Sequence, residues 1–276
     1  MTGSLTECWR RDGYLICPGL LNETEVASLN ADAGRVCREQ RGDAAPQDDE
    51  VATRGALAIH FPHKLSPLMR ESMRHPRIVE ILTHVIGPNV KSMQSMLFFK
   101  YAGKPGQAWH QDESFIPTRD RSLTGGWIAL DDATIDNGCL WVIPGSHRPG
   151  ILWPMRKHDD PEFDSAPASY DFPHRDSDAV PVEVAAGSVV FFNGYLLHRS
   201  LRNRRREGFR RALVHHYMSA ESLLPWDCGG QIPPTRDNRD ILLVAGVDPY
   251  AYLGTTDTSR PYVRRETPGL HPRGHG

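Results

Sequence analysis

No uninterrupted apolar run in the 276-residue sequence approaches the roughly 20 residues that a membrane-spanning helix requires. No membrane partner is therefore expected. An excess of either charge is also missing: 32 Lys and Arg against 34 Asp and Glu leave a net charge of −2. No overall field draws the chain to nucleic acid or to an anionic surface. Cysteine is scarce, with five residues (Cys8, Cys17, Cys37, Cys139 and Cys228), and none forms a C-x-x-C pair. That argues against a disulfide framework or a zinc knuckle and for a reducing compartment. The stretch Met1 to Cys8 has neither a basic start nor an apolar core. No signal peptide is expected, and the expected location is cytoplasmic. Internal repeats and low-complexity tracts are absent.

Turn formers are plentiful. The chain holds 24 Gly and 22 Pro, which favours short strands and many turns over long helices. Tyr14 to Cys17 reads as a strand running into the turn Pro18-Gly19. Asn22 and Glu25 have the spacing of a capping box, and Val26, Leu29, Ala33 and Val36 follow at helical spacing to about Glu39. Residues 41–55 are acidic and aperiodic and read as a connection or a lid. Ser66-Pro67 opens one helix and Pro76 a second, which stops at Gly87-Pro88 and is apolar on more than one face. From residue 89 the texture turns to strands: Val90 to Tyr101, Trp127 to Leu130, Leu140 to Ile143, Val182 to Val184, Ser188 to Phe192, Tyr195 to His198 and Ala212 to Met218. Asn137-Gly138 carries the signal of a tight hairpin, with Leu140 to Ile143 as its returning strand. Short strands preceded by helices predict a mainly β, α+β architecture: a sandwich or barrel with helices outside. One domain is expected over residues 1–225, with residues 226–276 as a Pro/Gly/Arg-rich extension packing on or near it.

The chemistry converges on His110-Gln111-Asp112. In an extended segment, residues two apart project to one side, so an imidazole and a carboxylate can aim at one point. Two His and one carboxylate form a facial triad that suits non-haem Fe(II) and leaves coordination positions open. By itself, His-x-Asp is as readily a surface His beside a solvated Asp. The functional reading gains from His198, at the end of an apolar strand, and from the arginine that opens the next strand after Phe209.

Four segments in order, Trp109-His110-Gln111-Asp112, Asn137-Gly138-Cys139-Leu140-Trp141-Val142-Ile143-Pro144-Gly145-Ser146-His147, His198-Arg199-Ser200 and Phe209-Arg210, resemble the phytanoyl-CoA dioxygenase family over about residues 8–220. The resemblance implies a double-stranded β-helix, or jelly-roll, and an Fe(II)- and 2-oxoglutarate-dependent dioxygenase that uses O2. It would hydroxylate an unactivated C–H of a small-molecule substrate while 2-oxoglutarate is decarboxylated to succinate and CO2. It also implies that His110, Asp112 and His198 are the iron ligands. Arg210 would grip the distal carboxylate of 2-oxoglutarate with Ser200 beside it, and Trp127 and Gln107 match positions that contact the cosubstrate. Arg211 rivals Arg210, and strand alternation sends the two to opposite faces. The other arginines between His198 and residue 211 read as a solvated face, since a nucleic-acid patch would want stacking aromatics nearby.

Three rival readings remain. A halogenase of the same fold needs a small residue where Asp112 stands. A catalytically inactive jelly-roll binding protein would not need the triad together with Arg210. A zinc hydrolase could use the same three ligands. His147 is expected to be structural or pocket-lining and Trp141 to be core. His60 and His63 are candidates to face substrate, and one of His215 and His216 should point inward. The substrate pocket is expected from loops 41–63, 113–123 and 155–180.

Overall fold

The computed structural model describes residues 2–41, 53, 55–223 and 235–265. Most of the acidic stretch 41–55 lies outside the described residues, as does Cys228. An N-terminal helix α1 (Thr2–Asp12), which the sequence pattern did not reveal, leads into β1 (Tyr14–Cys17) and α2 (Glu23–Arg41). The capping box closes reciprocally: the Asn22 N–H donates to Glu25 Oε2 at 2.8 Å and the Glu25 N–H to Asn22 Oδ1 at 2.9 Å. Next come β2 (Ala56–His60), α3 (Pro67–Ser72) and α4 (Pro76–Val85). Ser66 caps α3 by accepting from the Met69 N–H at 3.0 Å, and its hydroxyl also donates to Asp32 of α2. Such caps contribute about 1 kcal/mol each and here also tie helix to helix.

The strands then follow as β3 (Val90–Tyr101), β4 (Gln107–His110), β5 (Thr124–Ala129), β6 (Leu140–Val142), β7 (Met155–Arg156), β8 (Ala168–Ser169), β9 (Val180–Val182), β10 (Val189–Asn193), β11 (His198–Ser200), β12 (Phe209–Ser219), β13 (Leu242–Ala245) and β14 (Tyr262–Arg265). The major sheet runs β1-β10-β5-β12-β3-β2-β14, with β13 also on β3, and the minor sheet runs β4-β11-β6-β9. Two antiparallel sheets face each other, the arrangement of a jelly-roll.

Alternation along β12 explains the packing. Leu213 and Tyr217 point to the outer face and join Leu29, Val36, Met69, Ile78 and Leu82 of the helices in one core. Ala212 and Val214 point inward and pack with Trp127, Val190, Leu140 and Val142 between the sheets. The helices thus cover one face of the major sheet, which leaves the other for the site. In α4 only Ile78 and Leu82 are buried, so a single stripe of that helix meets the core rather than several faces.

Two sequence expectations need correction. Asn137-Gly138 does form a turn, with Gly138 at φ 79°. It is not a hairpin turn, however, because β5 lies in the major sheet and β6 in the minor one. The turn is held by side-chain bonds instead: Asn137 Oδ1 accepts from the Thr134 N–H at 2.8 Å, and Asn137 Nδ2 donates to Asp132 O at 2.7 Å. Nor does His198 end a strand; it opens β11. The described part of the C-terminal extension supplies β13 and β14 to the major sheet, and Lys91 of β3, fully buried, pairs with Asp237 at 2.7 Å.

Candidate metal centre and anion pocket

β4 and β11 pair antiparallel with His110 directly opposite His198, and their rings stand 4.0 Å apart. Gln111 continues the extended backbone at φ −128° and ψ 124°, so Asp112 turns back to the side of His110 before a 3-10 turn begins. Gln111 itself points the other way and is completely buried. Its amide donates to Ile151 O and Tyr195 O at 2.9 and 2.8 Å, and its carbonyl accepts from the Trp153 N–H at 2.8 Å. The middle residue of the tripeptide therefore clamps the segment to two loops, a role the sequence did not disclose.

The nitrogens of His110 and His198 and a carboxylate oxygen of Asp112 all lie within 4.8 Å of one another. Asp112 Oδ1 stands 3.7 Å from His110 Nε2 and 3.6 Å from His198 Nε2. Each imidazole uses its other nitrogen on a backbone carbonyl: His110 Nδ1 to Ala108 O at 2.7 Å and His198 Nδ1 to Leu196 O at 3.0 Å. A carbonyl only accepts, so Nδ1 carries the proton and the Nε2 lone pair faces the shared point. That is the outer-shell pattern of metal-binding histidines, and this donor set fits an iron ion. Burial, with His198 next, pushes His110 down to about 3, so its imidazole is neutral near pH 7. Burial would raise the Asp112 pKa, but His198 and the hydrogen bond from His216 hold it below the usual carboxylate range. His216 Nε2 meets Asp112 Oδ2 at 3.1 Å, which occupies one oxygen and leaves Oδ1 toward the histidines.

The second part of the site is an anion pocket at the start of β12. Arg210 is 3 % exposed, donates from Nε to Gly138 O at 3.2 Å and lies 5.4 Å from the Trp127 ring centroid. Burial lowers it only to about 10, so it stays charged near neutral pH. Its partner across the strands is Lys100 of β3. The Lys100 Nζ bonds Ser200 Oγ at 2.7 Å, Leu201 O at 2.6 Å and Gly138 O at 3.2 Å. Burial, with Arg210 next, pushes Lys100 well below its ordinary pKa. Among the described residues neither Arg210 nor Lys100 has a carboxylate in ion-pair range. The Gln107 backbone N–H donates to Ser200 Oγ at 3.3 Å. Glycine is needed at 138: a Cβ there would stand 2.3 Å from Leu201 O. Lys100 escaped sequence reasoning because it ends the apolar stretch Met96 to Tyr101 and belongs to none of the motifs.

His110, Asp112, His198, Arg210, Ser200, Trp127 and Gln107 all line one cavity of about 540 Å³. The size suits small organic molecules. Arg211 points to the opposite face and pairs with Asp131 at 2.6 Å. His60 lines the cavity, whereas His63 is buried against Ser95 Oγ at 2.6 Å. His215 faces outward to Ser72 Oγ at 2.8 Å. His147 does not line the cavity; its ring packs where a Cβ on Gly13 would stand. Trp141 is only half-buried, with Arg199 6.0 Å from its ring. Residues of all three expected loops reach the cavity, and so do Arg239, Ser259, Tyr262 and Arg264 of the C-terminal extension, which were not expected there. Within the arginine run, Arg199 pairs with Asp176 and Arg204 with Glu162. No helix among the described residues is long and apolar enough to cross a membrane.

Comparison with known proteins agrees with this arrangement. The profile of the family described as phytanoyl-CoA dioxygenase matches residues 9–212. The phytanoyl-CoA dioxygenase of Arabidopsis thaliana is 38% identical over 52% of this chain, and the match spans half of that relative's length. The phytanoyl-CoA dioxygenase domain-containing protein 1 of Danio rerio is 34% identical over 80% of this chain and 91% of its own. The epimerase SnoN, solved in complex with Fe3+, alpha ketoglutarate and nogalamycin RO, superposes with a TM-score of 0.64 at 22% identity. That match covers 90% of this chain and 96% of SnoN, and it speaks for the fold. With both the profile and the zebrafish relative spanning most of its length, the chain belongs to the phytanoyl-CoA dioxygenase family.

Proposed function

We propose that this chain is an Fe(II)- and 2-oxoglutarate-dependent dioxygenase that hydroxylates an unactivated C–H of a small-molecule substrate. The observation that carries the reading is the coexistence, in one cavity, of a three-ligand cluster and the buried Arg210 guanidinium, which has no carboxylate partner among the described residues. His110, Asp112 and His198 would hold the iron, and three ligands leave positions for cosubstrate and O2. Iron bound there would supply oxygen activation coupled to decarboxylation of 2-oxoglutarate to succinate and CO2.

The chain's own residues do the rest. The Arg210 guanidinium offers a planar fork to the distal carboxylate of 2-oxoglutarate, and Ser200 and Lys100 add donors beside it. The Trp127 ring flanks that guanidinium, and Gln107 holds Ser200 in place through its backbone N–H. Gln111 and His216 orient the ligand segment and the carboxylate. The apolar inner faces of the two sheets keep water away from the reacting centre.

The test is anaerobic loading with Fe(II) and 2-oxoglutarate followed by admission of O2. Succinate should form, one equivalent per equivalent of 2-oxoglutarate consumed. Protein that binds both partners yet forms no succinate would count against the oxygenase and for a binding protein.

A further inference from the structure

The ladder between β3 and β12 lays four pairs of facing residues along the inner face of the major sheet: Lys100 with Arg210, Phe98 with Ala212, Met96 with Val214 and Gln94 with His216. The first and last pairs are polar, and both meet the segments that carry the metal ligands. Lys100 bonds Ser200, two residues after His198. His216 bonds Asp112 itself. The cosubstrate accounts for Lys100 and Arg210, and the metal ligand for His216. Gln94 is left without a task.

Gln94 is 6 % exposed and lines the cavity. Its carbonyl is taken: Arg239, from the segment before β13, donates from Nη1 to Gln94 Oε1. A guanidinium can only donate, so this bond settles which way round the amide stands. Oε1 faces Arg239, and the NH2 group takes the other direction. That NH2 group meets no hydrogen-bond partner among the described residues, nor is it sealed from solvent. His216 Nδ1 and His60 Nε2, on the same wall, are sealed atoms without a partner, and Gln94 Nε2 is not one of them. The space it opens on is the cavity.

A donor fixed in this way discriminates between ligands. Water can accept from it until a ligand displaces that water, and a ligand without an acceptor then leaves the donor unpaired. A ligand that presents an oxygen keeps the bond. The amide is uncharged, so the contact asks for an acceptor oxygen and not for an anion. The two flanking residues of β3 and β12, Met96 and Val214, are apolar and offer no competing acceptor on their side chains.

We propose that Gln94 Nε2 donates to a neutral acceptor oxygen of the primary substrate, a carbonyl compound rather than a plain hydrocarbon, and thereby selects it beside the ligand cluster. The inference rests on the oxygenase reading for the meaning of "primary substrate", but the oriented donor stands on its own geometry. Arg239 acts through Gln94 as a positioning residue, since its bond to Oε1 turns the NH2 group toward the cavity.

Equilibrium binding tests it, measured anaerobically by calorimetry on protein loaded with Fe(II) and saturating 2-oxoglutarate. The probes are two matched pairs, acetophenone with α-methylstyrene and cyclohexanone with methylenecyclohexane, in which C=O is exchanged for C=CH2. At least one ketone should bind roughly three- to tenfold more tightly than its alkene, the range for one neutral hydrogen bond. The same ketone, and not its alkene, should shift the Gln94 side-chain NH2 signals in NMR spectra of the nitrogen-labelled protein carrying Zn(II). Those signals are the pair that Gln94→Glu removes. That variant keeps an acceptor for Arg239 but loses the donor, so it should bind ketone and alkene alike with unchanged affinity for metal and 2-oxoglutarate. Absence of a ketone preference in the wild-type protein, in both pairs and whether or not the alkenes bind, overturns the proposal without any variant having to fold. So does a preference that survives Gln94→Glu. A fall in metal affinity in Gln94→Glu also overturns it, because the amide would then be serving His216. Failure of the wild-type protein to bind 2-oxoglutarate would sink the oxygenase reading instead, and the ketone comparison would then be read on the metal-loaded protein alone.

Discussion

The two faces of β12 carry the same residue types to different ends. Arg210 and His216 point into the cavity, whereas Arg211 and His215 point away from it. On the outer face Arg211 pairs with Asp131, and His215 bonds Ser72 through Nε2 while its buried Nδ1 meets no partner among the described residues. On the inner face Arg210 has, among the described residues, only a carbonyl and a ring, and His216 is spent on Asp112. A charge paired with its counter-ion serves the fold. Buried charge left without a counter-ion is costly unless something arrives to take it, so the inner face reads as a binding surface.

The largest expected effect comes from removing the carboxylate that the inner face positions. Asp112→Ala should abolish hydroxylation and weaken iron retention, a loss beyond the roughly 10–100-fold typical of outer-shell partners. Full turnover of this variant in chloride-free buffer would break the assignment of the ligand cluster.

Next comes the arginine pair. Losing a charged contact to a buried carboxylate costs about 2–5 kcal/mol, so Arg210→Ala should weaken 2-oxoglutarate binding by roughly 30- to several-thousand-fold. Arg211→Ala should leave that affinity nearly unchanged, since its partly exposed ion pair with Asp131 is worth about 0–1 kcal/mol of stability. Titration of 2-oxoglutarate against both variants decides it, and the reverse ranking would invert the two faces.

The histidine pair sharpens the same contrast on a smaller scale. His216→Phe leaves Asp112 without its orienting bond and should lower iron affinity by roughly 10–100-fold in a chelator competition. His215→Phe should leave iron affinity alone and lower the melting temperature instead. Equal effects on iron affinity would erase the distinction.

The smallest effect concerns the outer face and pH. His63 bonds Ser95, the cross-strand neighbour of His215, and burial pushes it down to about 4. Its folded pKa lies below the ordinary value of about 6.5. Between those values the unfolded chain binds the extra proton, so the contribution of His63 to stability should fall as pH drops from about 6.5 toward 4 and level off below. His63→Asn should reduce the slope of melting temperature against pH in this window, which His60 and His215 also feed; an unchanged slope would remove His63 as one of its sources.

Several of these features were legible in the sequence because they depend on near neighbours. The Asn22–Glu25 box and the Ser66 cap need only residues within one helical turn. Alternation alone separates Arg210 from Arg211, since a strand has a period of two. The extended backbone at Gln111 that brings Asp112 back beside His110 is local in the same way. The turn at Asn137-Gly138 was read correctly as a turn and wrongly as a hairpin, because a turn signal says that the chain reverses and not which sheet receives it.

By itself, then, the sequence determined the starts of α2, α3 and α4, the faces of β12 and the residue types able to bind metal and a dianion. Tertiary structure alone decided which of them meet. His198 reaches His110 through the pairing of β11 with β4 across 88 residues, Lys100 reaches Ser200 across 100, and Arg239 reaches Gln94 across 145. No local period encodes contacts at such separations. They form because closing two sheets over one core buries the apolar faces of both, and the register that achieves this burial also sets which polar groups share the cavity.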